Sequence, residues 1–165
     1  KAKIRIEDYI SDAEKAGAEI KLDGRGTNIN GKENCCYMRP TVIDKVDPEM
    51  SVARDEVFGP VLSVIRCDTI DEAIAVQNQS LFGNGASVYT RSGSLAKYVR
   101  ERLTAGMIGT NVGVPVPREP FSFGGIKSSK FGVGDITGKS SINFWTNLIK
   151  YTTKWDKESG VNWMS

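Results

Sequence analysis

Between Val61 and Val112, apolar runs of strand length alternate with segments whose apolar residues recur every three or four positions, and this alternation restricts the chain to few folds. A strand, a returning helix and a further strand read as a parallel sheet covered by helices. The spacing predicts a first strand over 61–65. Thr69 then stands three residues before Glu72, a capping box opening a helix whose buried stripe is expected at Ile70, Ala73, Ile74 and Val76 or Gln77. A second strand is expected over 86–90. Leu95, Tyr98, Val99 and Leu103 form the next helical stripe, Gly106 is expected to cap it, and a third strand is expected over 107–112. The expected fold class is α/β, a parallel sheet with right-handed crossover helices.

The flanks read differently. Ile6, Tyr9, Ile10 and Ala13 fall on one helical face, and Gly17 sits where a left-handed cap would end that helix. A short strand over 18–22, a turn over 23–26 and a polar loop over 27–34 follow. Beyond Val112, Pro115, Pro117 and Pro120 forbid regular structure, and residues 123–138 are dense in Gly and Ser. Ile142, Phe144, Thr146 and Leu148, then Tyr151, Thr153 and Trp155, alternate with one slip, which predicts an extended strand over 142–155. Residues 156–165 show no periodicity and are expected to be loose.

Composition excludes several classes of function. The 22 basic and 20 acidic residues are interspersed along 165 positions, for a net charge of +2, so neither nucleic acid nor an anionic membrane is an expected partner. No run of eighteen apolar residues suggests a membrane span. Cys35, Cys36 and Cys67 are odd in number and lack zinc-ligand spacing, so no metal site is assigned and a reducing compartment is expected, cytoplasmic or mitochondrial matrix. With no histidine in the chain, Ser-His and Cys-His dyads are unavailable. Lys1 lies directly inside a helical pattern and is not Met, which leads us to expect a piece of a longer chain.

Asp55-Glu56-Val57-Phe58-Gly59-Pro60, placed just before the first buried strand, puts an acid and an aromatic at the mouth of a sheet, where open α/β folds bind ligands. A carboxylate there can accept hydrogen bonds from a ribose diol, and a ring can lie against a flat heterocycle. By residue type alone, the favoured reading is that Glu56 is a solvated loop acid and Phe58 a core plug. Among the cysteines, Cys35 and Cys36 have no base near them in sequence, and Cys67 ends a buried strand, so all three read as structural. Arg118 could offer its guanidinium to a substrate carboxylate, although a contact with Glu119 or solvent is the plainer reading.

Glu56 to Val61 resembles the E-[IV]-F-G-P signature of the aldehyde dehydrogenase superfamily, which implies that Glu56 holds the nicotinamide ribose and that Phe58 flanks the nicotinamide of NAD or NADP. Phe121-Ser122-Phe123-Gly124-Gly125-Ile126-Lys127 resembles the superfamily's P-F-G-G-x-K segment with Ser122 in place of the usual proline, which implies that Phe121 and Phe123 line the substrate tunnel. Pro115-Val116-Pro117, the Phe82-Gly83-Asn84-Gly85 turn, and Gly138-Lys139, Ile142, Phe144, Thr146, Lys150, Thr153 and Trp155 are similar to the methylmalonate-semialdehyde dehydrogenase branch. The resemblance implies a division into the C-terminal part of a catalytic domain (1–128), a loop region (129–141), an oligomerisation strand (142–155) and a tail. It also implies a small aldehyde substrate, CoA as acyl acceptor, a homodimer or homotetramer, and a nucleophilic cysteine upstream of Lys1, so that no catalytic residue is assigned within the chain. A semialdehyde dehydrogenase that uses water as acceptor, and a non-catalytic oligomerisation module, are the competing expectations.

Overall fold

A computed structural model describes residues 1–32, 35–118, 120–135 and 137–154. The stripe Ile6, Ile10 and Ala13 faces inward from helix α1 (Ala2–Lys15). Its end is sharp, because Gly17 takes φ 101° while the Gly17 amide donates to the Glu14 carbonyl and the Ala18 amide to the Ala13 carbonyl, both at 3.0 Å. This double closure needs a left-handed residue, which glycine supplies without steric cost.

The chain then reverses into β1 (Glu19–Leu22), antiparallel to β2 (Thr41–Asp44) with Ile20 opposite Ile43. A short helix, α2 (Ser51–Arg54), leads to β3 (Val61–Ser63), which lies parallel to β2 with Val42 opposite Leu62. Ile10 and Ile43 are wholly excluded from water, and Ala18, Val46 and Val52 close around them. Burial of each isoleucine contributes about 2 kcal/mol, so this cluster anchors the N-terminal half.

Helix α3 (Ile70–Gln79) begins as its sequence predicts, with the Thr69 hydroxyl accepting from the Glu72 amide at 3.1 Å. The Glu72 carboxylate reaches back to the Asp68 amide at 2.9 Å, which completes the cap. After it come β4 (Phe82–Gly83), β5 (Gly85–Val88), helix α4 (Gly93–Arg100), β6 (Met107–Thr110) and β7 (Ile126–Lys127). β5 and β6 are parallel with α4 between them, and β4 pairs antiparallel with β7.

The parallel pairs β2–β3 and β5–β6, each spanned by a helix, give the expected α/β class. They lie in separate small sheets, however, and among the described residues no ladder joins β3 to β5. The three strands are also shorter than predicted. At the end of β6, Asn111 turns left-handed (φ 57°) and its side-chain amide brackets Thr90, accepting from the Thr90 amide at 2.9 Å and donating to its carbonyl at 3.0 Å. A side chain thus replaces the next ladder rung, and Val112 leaves the sheet.

Three further expectations need correction. Gly106 does not cap α4, which ends at Arg100; a Cβ on Gly106 would lie 2.3 Å from the Gly124 carbonyl oxygen, so its role is close backbone packing. In the α3 stripe only Ile74 is buried; Ile70, Ala73 and Gln77 border an open groove of about 490 Å³ against β5 and α4. The strand expected from 142 begins instead as helix α5 (Gly138–Trp145), and extended backbone starts only at Thr146. Short apolar segments satisfy a period of two and of 3.6 together, and here the helical one is adopted. Residues 146–154 have no ladder partner among the described residues, and Trp155 and residues 156–165 lie outside them.

Candidate functional site

The loop from Asp55 to Pro60 is clamped to one face of α1. The Tyr9 hydroxyl donates to Asp55 Oδ2 at 2.9 Å, and Arg5 Nη2 donates to the Val57 carbonyl at 2.8 Å. Gly59 lies directly on Ile6, where a Cβ would come within 2.6 Å of Cδ1. The hydrogen bond to Asp55 raises the Tyr9 phenol above its ordinary range. Phe58 is held at φ 51° and is 81% exposed. A left-handed aromatic costs about 1–3 kcal/mol, and such strain clusters at ligand sites. No core packing compensates for it here. Within the described residues Phe58 plugs no core.

Glu56 opens onto a cleft of about 510 Å³ between the α2 end and the β4–β7 ribbon, with Arg54, Phe82, Asn84, Phe123 and Ser129 around it. Glu56 and Phe123, 67 positions apart, thus share one cavity. Phe58 and Phe121 stand outside its lining, Phe121 being 70% exposed. The opposite wall is fastened by Lys127, left-handed at φ 56°, whose Nζ donates to the Asn78 and Ser80 carbonyls at 2.8 and 2.9 Å. There the cation caps the C-terminus of α3 and complements its dipole. The Gly83 amide donates to Ser129 Oγ at 3.1 Å, and the Phe123 amide to Thr137 Oγ1 at 2.7 Å.

The other residues considered stand apart from this cleft. Cys35 and Cys36 are exposed, and the half-buried Cys67 thiol is pushed up by burial and by Glu72 and Asp68, the reverse of what a nucleophile needs. Arg118 is exposed, and its carbonyl accepts from the Phe121 amide at 3.0 Å. Among the described residues no cluster of His, Cys, Asp and Glu could hold a metal ion.

Sequence reasoning passed over Arg5, Tyr9 and Asp55 as supports for the loop, and Lys127 as the fastening of the far wall. Tyr9 was visible as one member of an apolar stripe, and its hydroxyl was the available signal. A stripe at helical spacing says which face is buried, but not what lies opposite it.

With this geometry in hand, residues 1–150 match the model of the aldehyde dehydrogenase family. The chain is 42% identical over 153 residues to malonate-semialdehyde dehydrogenase 1 of Bacillus licheniformis, covering 93% of this chain and 31% of that protein. It is 40% identical over 160 residues to the acylating, mitochondrial methylmalonate-semialdehyde/malonate-semialdehyde dehydrogenase of Rattus norvegicus, covering 97% of this chain and 30% of that one. In structure it resembles a methylmalonate-semialdehyde dehydrogenase of Sinorhizobium meliloti complexed with NAD, with a TM-score of 0.90 and 39% identity over 94% of this chain and 32% of that one. The chain spans about a third of the length of these relatives. By sequence and by fold, it belongs to the aldehyde dehydrogenase family.

Proposed function

We infer that this chain supplies the coenzyme-ribose contact and part of the substrate wall of an NAD(P)-dependent dehydrogenase acting on malonate or methylmalonate semialdehyde. The observation that carries the reading is the pairing of an unburied carboxylate, Glu56, with Phe123 across one cleft, beside a strained and exposed Phe58. The cleft suits a nicotinamide riboside in kind: a carboxylate accepts from two hydroxyls, and an exposed ring offers a flat apolar surface. NAD(P), when bound, supplies the hydride acceptor. Glu56 would orient the ribose, Phe58 would flank the ring, and Phe121 and Phe123 would border the aldehyde's approach.

The nucleophilic thiolate belongs to a cysteine outside this chain on this reading, since Cys35, Cys36 and Cys67 lie away from the cleft. The semialdehyde class rests on the relatives' names, and CoA as acyl acceptor on the branch resemblance and the acylating rat relative. Residues 146–154, exposed and without a ladder partner, would extend a sheet of a second subunit. No described helix is long and apolar enough to cross a membrane. Cytoplasm or mitochondrial matrix remains the proposed compartment.

In the full-length dehydrogenase, Glu56→Gln keeps the size of the side chain and removes its charge-assisted acceptors. We expect roughly a tenfold to hundredfold loss in the hydride-transfer step, with a larger isotope effect on aldehyde-deuterated substrate and an almost unchanged Tm. A fall in Tm of many degrees with intact single-turnover transfer would assign Glu56 to the scaffold.

A further inference from the structure

We propose that Arg5 and Tyr9 of α1 are positioning residues for the coenzyme, acting through the loop that carries Glu56 and Phe58; this rests on the reading of Glu56 as a ribose contact. The loop divides by parity. Asp55, Val57 and Gly59 face α1, bonded to Tyr9, bonded to Arg5 and stacked on Ile6 in turn. Glu56 and Phe58, between them, face outward, Glu56 onto the cleft and Phe58 into solvent. Residues 5, 6 and 9 lie on one helical face, so a single rigid surface grips alternate loop residues and presents the others.

The grip is more than packing. Asp55 and Val57 are the immediate neighbours of Glu56, and α1 holds the first by its side-chain carboxylate and the second by its main-chain carbonyl. α1 in turn is fastened by Ile6, Ile10 and Ala13 in the main core cluster. Val57 packs against the same cluster. The Arg5 guanidinium also lies 5.8 Å from the Tyr9 ring centre, within cation–π range, which couples the two grips. The strained φ of Phe58 needs surroundings that over-determine it, and the clamp with Gly59 on Ile6 supplies them. The helix thus converts core burial into the orientation of two exposed side chains that have no packing of their own.

The test uses the full-length dehydrogenase carrying Tyr9→Phe, which keeps the ring and removes the hydroxyl, and Arg5→Met, which keeps an unbranched apolar stem and removes the donor, together and separately, with and without Glu56→Gln. Loss of one ordinary hydrogen bond corresponds to about a threefold to tenfold rise in the NAD dissociation constant, which is the expected result for each variant. In the Glu56→Gln background the same changes should shift it by less than about twofold, because the contact they serve is gone. Amide exchange over residues 55–59 should be about tenfold faster in the double variant, while the amides of Ile10 and Ala13 keep their protection. Arg5→Lys, which retains a donor, should recover part of the loss.

Equal losses of NAD affinity in both backgrounds would overturn the proposal and make α1 a general scaffold. So would unchanged exchange over 55–59 with unchanged NAD affinity. If Glu56→Gln alone leaves NAD binding intact, the ribose reading fails and the coenzyme role of the clamp fails with it. Amide exchange would then still report separately whether α1 holds the loop.

Discussion

Asp44 shows how a single residue couples the fold to pH. It sits at the end of β2 with its side chain 6% exposed, and Arg66 grips it through Nε at 2.9 Å and Nη2 at 2.7 Å. The Lys45 amide, on a left-handed residue, adds a third bond at 2.8 Å. The guanidinium fork first, and this amide second, hold the Asp44 carboxyl down at about 2. An unfolded aspartate titrates near 3.9, so the folded value is the lower one. The stabilisation is therefore complete above about pH 4 and is lost as the pH falls toward about 2. Asp44→Asn is expected to lower Tm at neutral pH and to flatten the acid limb of the Tm profile between these values. Superimposable acid limbs would show that the fork contributes nothing. None of this was legible in sequence, because Asp44 and Arg66 are 22 positions apart and meet only through the β2–β3 pairing.

At the scale of elements, local signals set the start of α3 and the end of α1, but not the end of α4. Thr69 starts α3 and Gly17 ends α1 where their chemistry places them. Periodicity was least reliable where tertiary neighbours choose between two patterns, as in α5 against the expected strand. The segment after α5 carries Leu148, Ile149 and Tyr151, each more than four-fifths exposed. An unpaired apolar segment of this kind recruits another chain. The 165-residue chain is expected to sediment as a dimer or larger species, and deletion of residues 146–165 to leave a monomer. Analytical ultracentrifugation of both at several concentrations checks this, and a clean monomer in each would remove the segment from the interface.

On the whole-molecule scale, the described residues form one closed core and several open faces. The cluster around Ile10 and Ile43 is sealed, while Phe131, Val133 and Trp145 lie largely in solvent, and β3 and β5 meet no common sheet. The chain spans about a third of the length of the relatives it matches. The isolated chain is expected to form no NADH or NADPH from propanal above background, measured at 340 nm. Turnover would return attention to Cys35 and Cys36. The sequence by itself determined the family, the α/β class, the Thr69 and Gly17 caps and the position of the Glu56 and Phe123 motifs, because those depend on residue type at short spacing. Only the tertiary structure decided that Glu56 and Phe123 share a cleft, that Arg5 and Tyr9 grip the loop, that Lys127 closes α3 and that residues 138–145 are helical. Each of these is a contact or a choice made across chain separations that no local pattern records.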